Sequence, residues 1–131
     1  MLGTMNISVT GLQAAAARVN TVAKNVANQR SDAPPPATPS DYAGYKPQRV
    51  QQEPLRDGGV RSESRDVTPA YVEAYDPNSP SANADGLVAR PNVELEREMV
   101  ELTQARHDFA ANLAVARTNN DMLGILLDVR A

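Results

Sequence analysis

All ten prolines of this 131-residue chain fall between Pro34 and Pro91. An interior proline removes a helical hydrogen bond and clashes with the preceding turn. No long helix can therefore cross that window, while residues 1–33 and 92–131 can each form one. The partition divides the chain into a helix over 1–28, a proline-rich linker over 29–41, a small β or irregular segment over 42–91 and a second helix over 92–131.

The first helix is expected from about Thr4 to Asn28. Met5, Leu12, Val19 and Val26 recur every seven residues, with Ala15 and Val22 three positions after stripe members and Val9, Ala16 and Ala23 four after. This is a coiled-coil-like seam flanked by small residues, suited to close backbone approach. Gly11 costs about 1 kcal/mol relative to alanine inside a helix, and a close helix contact is the simplest reason for it. At the other end Asn92, after Pro91, reads as an N-cap, and Glu94, Glu96 and Glu98 suit the positive end of a helix dipole. Leu95, Leu102, Phe109, Ala116 and Leu123 repeat at seven, with Met99, Leu113 and Leu127 four positions further on. Arg106 and Asn120 interrupt that second line, and Asn119, Asn120 and Gly124 suggest a bend or a contact. The fold class expected is mainly α, its two terminal helices pairing as a coiled-coil-like hairpin around a proline-rich linker and a small β middle.

Between the helices, "YKPQRVQ", "GVRSESR", "AYVEAYD" and "GLVAR" read as short strands, "RDGGV" as a hairpin turn and "DPNSPSANADG" as a turn-rich loop. Tyr45, Tyr71 and Tyr75 are the candidates for a small core there, and residues 29–41 offer none.

That core must be thin. Alanine supplies 20 of the apolar residues, and Leu, Ile, Val and Phe together only 26, close to the level of roughly one-fifth at which chains stop folding alone. A seam with so little core points to partners that complete it. Charge agrees: residues 1–30 carry Arg18, Lys24 and Arg30 with no acid, whereas residues 92–131 carry a net −3, so the two ends attract, within a molecule or between neighbours.

Other functions find little support. A net charge of −3 argues against holding nucleic acid by phosphate neutralisation. No apolar run approaches the ~18 residues a membrane span needs, and "MLGTMNISV" has neither the basic nor the apolar region of a cleaved secretory signal. Without cysteine there is no disulfide or thiolate chemistry. His107 and Asp108 point apart on a helix, so no catalytic triad forms from them. Glu94, Glu98 and Glu101 share a helical face but read as dipole complements. Neither enzyme activity nor a cofactor is expected. Assembly by helices is the leading reading; a cytoplasmic helical adaptor or a membrane-surface module is the alternative.

"KNVANQ" is read within this frame, at its "NVAN" core. Asn25 and Asn28 share one side of the last helical turn, where Asn28 reads as a C-cap tolerant of the left-handed conformation. "NISVTGL" followed by "NVAN" resembles the N-terminal signature of the flagellar basal-body rod family, through Ser8, Gly11, Leu12, Asn25, Val26, Ala27 and Asn28. "YDPNSPSANADGLVARPNVELEREMVEL" resembles the C-type proximal rod members, through Tyr75, Asp76, Pro77, Pro80, Ala82, Asn83, Gly86, Val88, Pro91, Asn92, Val93, Glu98, Met99 and Val100. Arg106, Phe109, Ala111 and Asn112 continue the match, as does "YKPQRVQQEPL". Two departures mark a divergent member: "QRSDAPPPATPS" stands where the family is Thr-rich, and Gln52 where an aromatic usually precedes Glu-Pro.

The resemblance implies a structural subunit, exported by the flagellar type III apparatus without signal cleavage. Such subunits build the periplasm-spanning proximal rod with other rod proteins and transmit torque, their terminal helices lining the inner tube. It also implies that Asn25 and Asn28 fix register against neighbours. The subunit-interface residues expected on both grounds are Met5, Leu12, Val19, Val22, Asn25, Val26, Asn28, Leu95, Met99, Leu102, Phe109, Asn112, Leu113, Leu123 and Leu127.

Overall fold

The computed structural model describes residues 2–128. The first helix, α1, spans Leu2–Asn28; β1 (Gln48–Pro54), β2 (Val60–Asp66), β3 (Tyr71–Tyr75) and β4 (Leu87–Pro91) follow, and α2 spans Leu95–Asp128. The protein is thus mainly α with a small β middle. β1 pairs with β2 and β3 with β4, giving two two-stranded sheets. The second is antiparallel, with Tyr71 opposite Pro91 and Tyr75 opposite Leu87.

Local chemistry sets the boundaries. Beyond Asn28 the chain turns through a Ser31 N–H bonded to the Asn28 carbonyl at 3.0 Å, and Pro34–Pro36 bar any continuation. Asn28 does not adopt the expected left-handed cap, since no described residue other than glycine has a positive φ. Its side-chain amide instead donates to the Lys24 carbonyl at 2.9 Å and accepts from Ser31 Oγ. Nor does Asn92 cap α2. The first α2 bond runs from Glu98 N–H to the Glu94 carbonyl, and Asn92 donates its side-chain amide to the Pro69 carbonyl at 3.0 Å. Pro91 ends β4, and three residues separate it from the helix.

The β1–β2 turn behaves as "RDGGV" suggests: Gly58 and Gly59 have φ of 85° and 86°, a region that costs other residues strain. Gly86, with φ of 75°, closes the loop between β3 and β4. There Asn83 Oδ1 accepts from the Asp85 and Leu87 amides at 2.9 Å each, a side chain standing in for a strand partner.

Contacts gather the chain into two units. One holds α1 as far as Asn20, the stretch Val50–Glu63, and α2 from Val100; the other holds Thr21–Arg49 and Ser64–Met99. The second unit centres on β4, whose Val88 and Ala89 are fully buried. Here the linker departs from expectation. Ala33 is buried and bridges Ala89 through two backbone bonds of 2.8 and 2.9 Å. Asp32 beside it takes both arms of Arg90, at 2.9 and 2.7 Å. The tyrosine of this core is Tyr42, 4% exposed, packed on Tyr71 with ring centroids 4.7 Å apart. Tyr45 and Tyr71 are half-buried, and Tyr75 is 73% exposed. Alternation puts Tyr71 and Tyr75 on one face of β3, and the Tyr42 ring covers only the Tyr71 end of it.

The Arg90 guanidinium holds the Asp32 carboxyl below its ordinary pKa of 3.8. A lowered folded-state value means stabilisation that is present above pH 3.8 and lost as pH falls through the folded value. Asp32→Asn should therefore cost about 1–3 kcal/mol at pH 7, measured by urea unfolding. The gap from the unsubstituted chain should close on acidification below the carboxylate range; a gap independent of pH would contradict the ion pair's role.

Candidate assembly site

Asn25 lies near the end of α1 in the second unit and is 1% exposed. Its amide NH2 donates to the Gln48 carbonyl at 2.8 Å and to Glu98 Oε1 at 3.0 Å. Its carbonyl oxygen accepts from Tyr45 Oη at 2.9 Å and from the Gln48 N–H at 3.1 Å. Two donor hydrogens and two lone pairs are the whole capacity of a carboxamide, and all four are used inside the chain. Asn25 thus ties the last turn of α1 to the start of β1 and the first turn of α2. It leaves no amide group for a neighbouring subunit, so the expected interface role gives way to an internal one. Burial raises the pKa of the Tyr45 hydroxyl, with the Glu98 and Asp66 carboxylates adding to it, which keeps that donor protonated at physiological pH.

In the first unit, small and polar residues carry the contact between α1 and α2. Ser8, Ala14 and Ala15 are buried on α1, and Ala105 and Asn119 on α2. Ser8 can sit there because its hydroxyl bonds to the Thr4 carbonyl at 3.0 Å. A Cβ on Gly11 would lie 2.6 Å from Asn112 Cγ, so glycine is required by close helix approach, as its position suggests. Asn112 in turn donates to the Asp108 carbonyl at 2.8 Å. Arg18 pairs with Asp108 at 2.8 Å, joining the basic and acidic helices inside one molecule. Thr10 holds the hairpin: its Oγ1 accepts from the Val60 N–H at 3.2 Å and donates to the Ile7 carbonyl.

The seven-residue spacing is present, but the line turned inward on α1 is Ser8, Ala15 and Val22, three positions from the line of larger residues. Of the residues expected at an interface, Val22 and Asn25 are buried. Met5, Leu12, Val19, Val26, Asn28, Leu102, Asn112, Leu113 and Leu123 are half-buried. Leu95, Met99, Phe109 and Leu127 are exposed, Phe109 at 42% and Leu127 at 70%. A second group of exposed apolar side chains escaped the sequence reading: Val115, Met122, Ile125 and Leu126. Its signal was the seven-residue step from Val115 to Met122, on the opposite side of the helix from Phe109. His107 is exposed, and among the described residues no three His, Cys, Asp or Glu side chains gather as a metal site would.

Long exposed apolar stretches on a helix otherwise packed by small residues mark an associating protein, one of the class that is completed by its neighbours. No protein-family model matches the chain. It is similar to the flagellar basal-body rod protein FlgC of Agrobacterium fabrum, 30% identical with 94% of this chain and 90% of that protein covered. It is likewise similar to FlgC of Aquifex aeolicus, 36% identical over 83% and 81%, and of Salmonella typhimurium, 31% identical over 94% and 92%. The chain belongs to the FlgC family of flagellar basal-body rod proteins.

Asn25→Leu keeps the size of the side chain and removes all four of these bonds. It should cost at least about 2 kcal/mol, seen as a lower urea midpoint. Asn25→Asp should be worse at neutral pH than at acid pH, because a second carboxylate would face Glu98. Wild-type stability in both variants would show that the amide's bonds are not needed.

Proposed function

We propose that this chain, a structural subunit of the flagellar basal-body rod, polymerises through the apolar positions that its own fold leaves exposed or half-exposed. Phe109 carries the reading. It is a large aromatic side chain in a stretch resembling the proximal rod members, and it stands 42% exposed, leaving much of its apolar surface for a partner to cover. Leu95, Met99, Leu102 and Leu113 accompany it at helical spacing on α2, and Met5, Leu12, Val19 and Val26 form the matching line on α1. The coiled-coil-like pairing expected of these lines is best satisfied between copies or with other rod proteins, since within the first unit the small-residue face already makes the contact.

Polymerisation through helices lying along the rod axis suits torque transmission, because load passes through packed side chains over a long contact. Among the described residues no helix is long and apolar enough to cross a membrane. Passage through the flagellar type III apparatus without signal cleavage is the route that agrees with a periplasm-spanning rod.

Leu12→Asp or Phe109→Asp should abolish swimming and remove the protein from isolated basal bodies while its cellular level stays near normal. Full motility of either variant, in cells relying on this copy, would overturn the proposal. So would recovery of the unsubstituted chain only from cytosol or lipid, the outcome expected of an adaptor or membrane-surface module.

A further inference from the structure

In the first unit α2 outruns α1. Gly11 faces Asn112, and Arg18, further along α1, pairs with Asp108, earlier on α2, so the helices run in opposite directions. Stepping back from Gly11 to Leu2 corresponds to stepping on from Asn112 to Asp121. Residues 122–128 therefore extend past Leu2, by about 10 Å at 1.5 Å per residue. This end carries Met122, Ile125 and Leu126, all exposed, Ile125 at 64%. Asp121 and Asp128 flank them, also exposed.

The same unit holds an open groove of about 580 Å³ between α1 and the β1–β2 hairpin, lined by Thr10, Ala14, Leu55, Val60, Arg61 and Ser62. A cavity of about 150 Å³ accepts a benzene-sized apolar group, so this one has room for several aliphatic side chains. Its wall includes the buried Ser62 hydroxyl, which has no hydrogen-bond partner among the described residues. Leu55 stands exposed at the rim. The chain's own α2 end cannot fill the groove: Thr10 and Ala14 lie level with Asn112, and Ile125 is about 20 Å further along the helix. A second copy has no such restriction. Charge fits as well, with Arg61 exposed at the groove and acids on both sides of the apolar end.

We propose that the protruding end of α2 seats Met122, Ile125 and Leu126 in the groove beside Thr10, Leu55 and Val60 of a second copy, with Asp121 and Asp128 meeting its Arg61. Knob and groove are different surfaces, so the contact is head-to-tail, the class that propagates a helical filament when its rotation does not close a ring. The inference rests on the rod-subunit reading and names the surfaces it would use between like subunits.

The chain contains no cysteine, which makes crosslinking clean. Leu55→Cys and Ile125→Cys variants are produced together in cells in place of the natural chain, and basal bodies are isolated under mild oxidation. A disulfide dimer several-fold more abundant in the mixture than in either variant alone is expected. Arg61→Glu on the Leu55→Cys copy should reduce it several-fold, and Asp121→Arg with Asp128→Arg on the Ile125→Cys copy should restore it. Equal yields in mixture and single variants, or indifference to Arg61→Glu, overturn this contact. If both variants enter basal bodies without crosslinking, the groove contact is overturned and the rod reading stands. Absence of the unsubstituted chain from basal bodies overturns both.

Discussion

A single buried carboxamide decides how the middle of this chain joins its helices. Asn25 is on α1, Tyr45 and Gln48 lead into β1, and Glu98 lies in the first turn of α2; all four bonds of the Asn25 amide end on these three places. A buried polar group left unpaired costs more than a paired one contributes. The network therefore works as a positioning device: any slip of β1 or α2 along α1 strands at least one member. No other side chain offers two donors and two acceptor sites on so short a stem. Aspartate lacks the donors and would oppose Glu98, and glutamine would have to fold back on itself in a space where Asn25 is already enclosed. The network fixes register more than it adds stability.

The packing of α1 against α2 follows from the same economy of size. Glycine, serine and alanine on α1 bring backbones close enough for Asn112 to rest over Gly11 and for Arg18 to reach Asp108. Close approach by small residues releases little apolar surface from water, because alanine buries far less than leucine. The larger apolar residues are displaced to the flanks and outer side of α2, where they stay half or fully exposed. A subunit built this way is modestly stable by itself and gains most from burying its flanks elsewhere. The alanine-rich composition and the exposed leucines are two aspects of one arrangement.

Much of this was legible in the sequence, and the misses have definite causes. The proline partition located both helices, and turn residues located the strands, because both are local effects acting within a few positions. The seven-residue repeat was also real. But two parallel lines three positions apart share one period, and spacing alone cannot say which line faces inward; within the subunit, size decided it. Ala33 and Asp32 were assigned to a free tether since the surrounding prolines and serines resemble one. Their anchoring depends on Ala89 and Arg90, more than fifty residues away, and a pairing at that distance leaves no trace in local pattern. Tyr42 was passed over for the same reason: its burial comes from Tyr71 and the Ala33 bridge, not from its neighbours in sequence.

The residues that carry the family resemblance do two different jobs. Ser8, Gly11, Asn25, Asn83 and Gly86 all have their roles inside the subunit: a self-bonded hydroxyl, a close approach, a four-way amide, a loop closure and a positive φ. Matching at these positions certifies the subunit fold and says little about neighbours. Val100 and Phe109 lie in the matching stretches as well, yet both are exposed, and no bond of the subunit depends on them. Val115, Met122, Ile125 and Leu126 are exposed too, and none of them is among the matching residues. Apolar exposure is tolerated where a partner removes it, so both sets suit contacts outside the subunit. The bonds that hold the fold and the exposed apolar side chains thus lie on different faces of the same helix.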